Sequence, residues 1–82
     1  MNTDVNKKVL KDLEKVPKNV KEEVLENIQA LEEAEHLFQL KNVSHMEGTD
    51  EPYYRLKLGT YRLLVYYEKE TKSVTVHALT QR

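Results

Sequence analysis

Residues 53–67 contain the feature that most constrains the fold, because two alternating segments meet at the dipeptide Gly59-Thr60. A two-residue loop with glycine first is typical of a type II′ hairpin turn, since glycine readily adopts the positive φ that this position needs. Such a tight loop fixes the pairing of the two strands and places Lys57 opposite Arg62. The sequence therefore predicts an antiparallel hairpin whose two faces can be assigned residue by residue.

The alternation separates the hairpin side chains into an apolar face and a basic face, because successive side chains of a strand point to opposite sides. The predicted core face consists of Tyr54, Leu56, Leu58, Tyr61, Leu63, Val65 and Tyr67. The opposite face consists of Tyr53, Arg55, Lys57, Arg62, Leu64 and Tyr66. Like charges directly across a strand pair are destabilising. The residues alone leave two interpretations open: an anion-binding site, or a solvated face that discourages edge aggregation.

Helical periodicity precedes these strands. Val9, Leu13 and Val16 recur at helical spacing, and Pro17 ends that segment because it lacks a backbone N–H. A second apolar stripe consists of Val20, Val24, Leu25, Ile28 and Leu31. Residues 34–52 lose this periodicity and are predicted to form a long connection, whereas a third strand is expected at about 73–79. The order predicts an α+β fold in which a two-helix hairpin packs on one face of an antiparallel three- to four-stranded sheet.

Length and composition exclude several classes of protein. The 82 residues predict a single domain, 1–82, with a small core. The chain has no cysteine, which excludes disulfides and thiolate metal sites. The histidines are too scattered to indicate a metal site, and no cofactor is expected. No stretch approaches the roughly 20 apolar residues of a membrane span, so a cytoplasmic protein without membrane contact is expected.

The charge is unevenly distributed along the chain. Residues 1–52 have a formal charge of −5, residues 53–82 have +4, and the total is −1. Such asymmetry indicates an anionic partner for the basic half. The acidic half is also explained by two solvated helices, and both interpretations hold together.

Three segments carry a family resemblance. The first, "KKVLKDLEKVPKNVKEEVLENIQAL", has two helical patterns around a central proline. The second, "LKNVSHMEGTDEPYYRLKLGTYRLLVYY", has a glycine, tyrosines, alternating cations, a second glycine and then Tyr-Arg. The third, "VTVHALTQR", has an arginine after the last strand. In this order they resemble the RelE/ParE superfamily of toxins from type II toxin–antitoxin pairs, and its RelE-like mRNA interferase branch in particular.

The resemblance to RelE implies a ribosome-dependent endoribonuclease that inhibits translation by cleaving mRNA without a metal. In this chemistry the RNA 2′-hydroxyl attacks its own neighbouring phosphate. Arg55 and Lys57 match the two basic residues before the family's glycine, Arg62 matches its Tyr-Arg pair, and Arg82 matches the arginine that ends its last strand. The implied catalytic residues are therefore Arg55, Lys57, Arg62 and Arg82.

Each of these residues has an implied role. Lys57 would accept the proton of the 2′-hydroxyl, and Arg62 would stabilise the charge that develops on the phosphorane oxygens. Arg82 would hold the phosphate or assist the leaving oxygen. Arg55 and Lys57 would also bind RNA, together with Tyr53 and Tyr66, which offer rings on which a splayed base can stack.

The resemblance also implies three partners: a cognate antitoxin, the ribosome and mRNA. Two other functions remain open, namely a ParE-like toxin that inhibits DNA gyrase and a degenerate, inactive toxin that still binds its antitoxin. The full set of four cations favours the nuclease, whereas the net charge of −1 favours the degenerate toxin. Whether the short polar segment MNTDVN forms a strand is also open.

Overall fold

The computed structural model describes residues 1–45 and 52–81 and has two helices on one face of a five-stranded sheet. The strands are β1 (Asn2–Val5), β2 (Val43–His45), β3 (Tyr53–Leu58), β4 (Tyr61–Glu68) and β5 (Ser73–Gln81). The helices are α1 (Lys7–Leu13) and α2 (Lys18–Glu33), with a short 3-10 helix at Leu37–Gln39. The predicted α+β class is confirmed. The sheet has more strands than predicted, in the order β1-β5-β4-β3-β2.

The core lies between the helices and one face of the sheet. Its buried apolar side chains are Val9, Leu13, Val20, Val24, Ile28, Leu31, Leu37, Leu56, Leu58, Leu63, Val65, Tyr67, Val74 and Val76. Leu25 was predicted to belong to the apolar face of α2 but is 46% exposed. It directly follows Val24, and consecutive helical residues differ in direction by about 100°, so only one of the two points to the sheet.

The polar N-terminal segment does form a strand, and this makes the sheet mixed rather than purely antiparallel. β1 pairs parallel with β5, from Asn2 opposite Ser73 to Val5 opposite Val76. The pairing depends on backbone hydrogen bonds to a distant strand, and the sequence of β1 lacks the apolar alternation that would have indicated it.

The predicted connection at 34–52 is only partly irregular. It contains the 3-10 helix, whose Leu37 is fully buried, and the edge strand β2, which pairs antiparallel with β3. A strand of three residues is too short for a period of two to be recognised in the sequence. β2 is important for the site, because it extends the sheet next to Arg55.

The β3–β4 hairpin has the predicted register. Lys57 pairs with Arg62, Arg55 with Leu64 and Tyr53 with Tyr66. Gly59 has a φ of 66°, whereas Thr60 does not have a positive φ, as expected for the type II′ turn. The tight turn therefore sets which side chains share each face.

The turn provides a first prediction. Gly59→Ala is expected to lower the free energy of unfolding by about 1–2 kcal/mol, because an L-residue is strained at positive φ. No atom lies within 4 Å of the added Cβ, so the cost is conformational rather than steric. Urea denaturation followed by circular dichroism measures it. Thr60→Ala is the matched control and should change stability by less than about 0.5 kcal/mol; equal effects of the two substitutions would contradict the assigned turn.

Candidate nucleic-acid interface

The three predicted cations share the side of the sheet that faces away from the helices, here called the basic face. The strand registers place Arg55 between Ser44 of β2 and Leu64 of β4, and place Arg62 between Lys57 of β3 and Thr80 of β5. Leu56 and Leu63, which are adjacent to these cations in sequence and therefore point to the opposite face, are completely buried. Two of the cations come from one strand and one from the next, so the hairpin alone brings the positive charges together.

Arg62 is held against the turn that precedes it. Its Nη1 donates hydrogen bonds to the carbonyl oxygens of Gly59 at 2.8 Å and of Tyr61 at 2.9 Å. These hydrogen bonds hold the positive guanidinium next to the negative ends of two carbonyl dipoles. This helps explain why Arg62 tolerates Lys57 at the paired position. Nε and Nη2, which lie on one edge of the guanidinium, donate no hydrogen bond to the part of the chain that the structure describes. That edge has the geometry that binds two oxygens of a phosphate.

Lys57 is exposed, and its backbone is fixed on both sides of the residue. Its N–H donates to the carbonyl oxygen of Asn42 at 3.0 Å, and its own carbonyl accepts from Asn42 Nδ2 at 3.0 Å. Asn42 Nδ2 also donates to Asn27 Oδ1 of α2 at 2.9 Å. Asn42 thus joins α2 to β3 at the position of Lys57. The sequence analysis did not identify Asn42, because a single asparagine in a loop carries no periodic signal.

Arg55 is only partly exposed. Its Nε and the Oγ of its cross-strand neighbour Ser44 are buried, and neither has a hydrogen-bond partner among the described residues. Buried polar atoms without partners are uncommon in folded proteins and are costly by roughly 1–3 kcal/mol each. Ser44 was not predicted as a site residue, because β2 itself was not recognised.

Aromatic rings continue the basic face toward the end of the hairpin that is distant from its turn. Tyr53 and Tyr66 pack edge to face, with ring centroids 5.2 Å apart and an interplanar angle of 76°. The ring of His77 lies 6.2 Å from that of Tyr53. The β4–β5 register shifts between Leu64 and Val65, so the partner residues jump from Ala78 to Val76 and His77 has no partner in the ladder. The sequence analysis did not identify the position of His77 beside the tyrosines.

The predicted site is thus assembled in part. The face contains Tyr53, Arg55, Lys57, Arg62 and Tyr66, whereas Arg82 lies outside the described residues. Residues 1–45 and 52–81 contain no group of three or more His, Cys, Asp or Glu side chains placed to hold a metal ion. Within the same ranges, no helix combines the length and the apolar character needed to cross a membrane.

Comparisons with known proteins give no match to a protein-family model and none to a curated protein. Solved structures do match. A chain of the archaeal RelE–RelB complex from Pyrococcus horikoshii OT3 is 28% identical, with a TM-score of 0.79 over 99% of this chain and 93% of that chain. A chain of the RelB–RelE antitoxin–toxin complex from Methanococcus jannaschii is 21% identical, with a TM-score of 0.79 over 96% of this chain and 90% of that chain.

The isolated E. coli RelE toxin provides the fold without its partner. It is 22% identical to this chain, with a TM-score of 0.68 over 98% of this chain and 82% of that chain. At this identity the likeness establishes the fold alone. The predicted resemblance to RelE toxins is confirmed.

Proposed function

We propose that this chain, which has the RelE fold, is the toxin of a type II toxin–antitoxin pair and cleaves mRNA on the ribosome. The observation that carries the proposal is the pairing of Lys57 with Arg62 on the face of the sheet opposite the core. Like charges at directly paired positions disfavour the strand pair, and an anionic ligand would offset the repulsion that remains after Arg62 bonds to the two carbonyls. RNA phosphate supplies that negative charge.

The proposed reaction uses the cations in distinct roles. The 2′-oxygen attacks the adjacent phosphorus while Lys57 accepts the 2′-hydroxyl proton. The Nε and Nη2 edge of Arg62 donates hydrogen bonds to the non-bridging oxygens as negative charge accumulates on them. The bond from phosphorus to the 5′-oxygen then breaks and that oxygen takes up a proton. The products are a 2′,3′-cyclic phosphate and a 5′-hydroxyl end.

Substrate binding involves the rest of the basic face. Arg55, which is only partly exposed on the basic face, would contact a flanking phosphate. The Tyr53–Tyr66 pair would present ring surface to a base, as aromatic side chains commonly do with single-stranded RNA. We further propose that Arg82 holds the phosphate or assists the leaving oxygen.

The proposed protein partner is a cognate antitoxin that covers the basic face. The Pyrococcus RelE and the RelE of Methanococcus are each described as a complex with RelB. For this chain, a positively charged face that also carries Leu64 favours an antitoxin segment with acidic and apolar residues. The proposed site of action is the ribosome, which places the protein in the cytoplasm.

An in vitro translation reaction with mapped mRNA ends tests the proposal. Adding the purified chain should produce cleavage in phase with codons, with cyclic phosphate ends, and adding an antitoxin should suppress it. Intact mRNA together with inhibition of gyrase supercoiling would replace the proposal with the ParE-like function. Neither activity, with antitoxin binding retained, would identify a degenerate toxin.

A further inference from the structure

A second candidate site lies on the helical side of the sheet, at the end distant from the Gly59 turn. It is an open cleft of about 430 Å³, here called the aromatic cleft. Its ring-bearing side chains are Phe38, His45, Tyr54 and Tyr67. Glu68 at the end of β4 and Lys69 and Glu70 in the following turn also line it, and Pro52 completes the lining. The volume is in the range of small-ligand and side-chain pockets.

The rings of the aromatic cleft are held in a fixed arrangement. Phe38 packs edge to face with Tyr54 at 5.5 Å and 80°, and with Tyr67 at 6.0 Å and 89°. The ring centroid of His45 lies 4.9 Å from that of Tyr54. Phe38 is nevertheless 56% exposed, whereas Tyr67 is only 4% exposed. A large apolar ring is therefore positioned by two neighbours and still presents surface to solvent.

The charges of the aromatic cleft have the opposite sign to those of the basic face. Among the described residues that line the cleft, Glu68 and Glu70 outnumber Lys69, so these side chains together carry a negative charge. A phosphate or a carboxylate would be repelled there, whereas a cation would be attracted both by the carboxylates and by the electron-rich faces of the rings. This complementarity favours a cationic occupant over RNA.

Among protein cations, arginine fits this chemistry best. Its planar guanidinium stacks on aromatic rings and is less strongly hydrated than a lysine ammonium. It also donates paired hydrogen bonds to a carboxylate. We propose that the aromatic cleft binds an arginine side chain presented by a protein partner. The inference goes beyond the proposed function and does not depend on it, since the cleft lies across the sheet from the cations.

Titration with Nα-acetyl-arginine methylamide, followed by NMR of the aromatic resonances, tests the inference. Saturable shifts are expected in Phe38 and Tyr54, with a Kd on the order of 10 mM for a single side chain. The citrulline analogue has nearly the same shape without the charge and should bind several-fold more weakly. Sodium chloride added to the citrulline samples keeps the ionic strength equal.

Substitutions test whether the arginine analogue binds in the aromatic cleft. The double substitution Glu68→Gln and Glu70→Gln changes only exposed side chains and should weaken arginine binding by roughly 3- to 10-fold. Phe38→Ala should weaken it by at least about 3-fold. Leu25→Ala removes another exposed apolar side chain, one that lies outside the cleft, and should leave the affinity unchanged. Any of three results would overturn the inference: no saturable shift, equal binding of citrulline, or full affinity in the double variant.

Discussion

Arg62→Ala is expected to reduce mRNA cleavage on the ribosome by about 10²- to 10³-fold, the usual cost of removing one preorganised donor from a developing oxyanion. Arg62 Nη1 is bonded to the carbonyls of Gly59 and Tyr61, so the side chain is already oriented before RNA arrives. Arg62→Lys keeps the charge but loses the paired guanidinium donors, so its cleavage rate should lie between those of Arg62→Ala and the parent protein. Primer extension on translation reactions measures the cleavage rate.

The charge control for this prediction is Lys69→Ala. Lys69 is an exposed cation in the turn after β4, on the other side of the sheet, and its removal changes the net charge by the same amount. It should leave cleavage within about 2-fold of the parent rate. Urea denaturation of each variant separates a loss of chemistry from a loss of folding. Equal losses for Arg62→Ala and Lys69→Ala would mean that overall charge, not the position of Arg62, matters.

Leu63→Ala is expected to lower the free energy of unfolding by about 2–5 kcal/mol. Leu63 has no exposed surface and lies in β4, which pairs with β3 on one side and β5 on the other. Truncation would leave a cavity where the helices meet the centre of the sheet. Because small domains are stable by only about 5–15 kcal/mol, this single change approaches the limit of folding.

The control for the core prediction is Leu25→Ala on α2. The chemical change is the same, but Leu25 is 46% exposed, so the expected cost is below about 1 kcal/mol. Urea denaturation curves with equal slopes allow the two midpoints to be compared directly. A cost at Leu25 as large as that at Leu63 would be incompatible with the arrangement of the core.

The basic face could be predicted from the sequence because its geometry is local. Gly59 and Thr60 fix the hairpin register, and strict alternation then assigns Arg55, Lys57 and Arg62 to one side. The buried stripes of the helices follow from spacing in the same way. Leu25 was the exception, since an apolar residue beside a core position is not distinguished from the core by its type.

The parts that could not be predicted depend on contacts between distant segments. β1 is polar and exists through its parallel pairing with β5, and β2 has only three residues. The hydrogen bonds of Asn42 to Lys57 and Asn27 require that α2 and β3 already be in place. The position of His77 next to Tyr53 follows from an irregular register that no alternation rule anticipates.

The most direct measurement of the central claim is a cryo-electron microscopy structure of this protein on a ribosome whose A-site mRNA carries 2′-O-methyl groups. Methylation removes the attacking hydroxyl and should trap the uncleaved substrate. We predict that the blocked phosphate lies against Lys57 and Arg62, with a neighbouring base near Tyr53 and Tyr66. Messenger RNA bound on the helical side, or a basic face that contacts no RNA at all, would contradict the account.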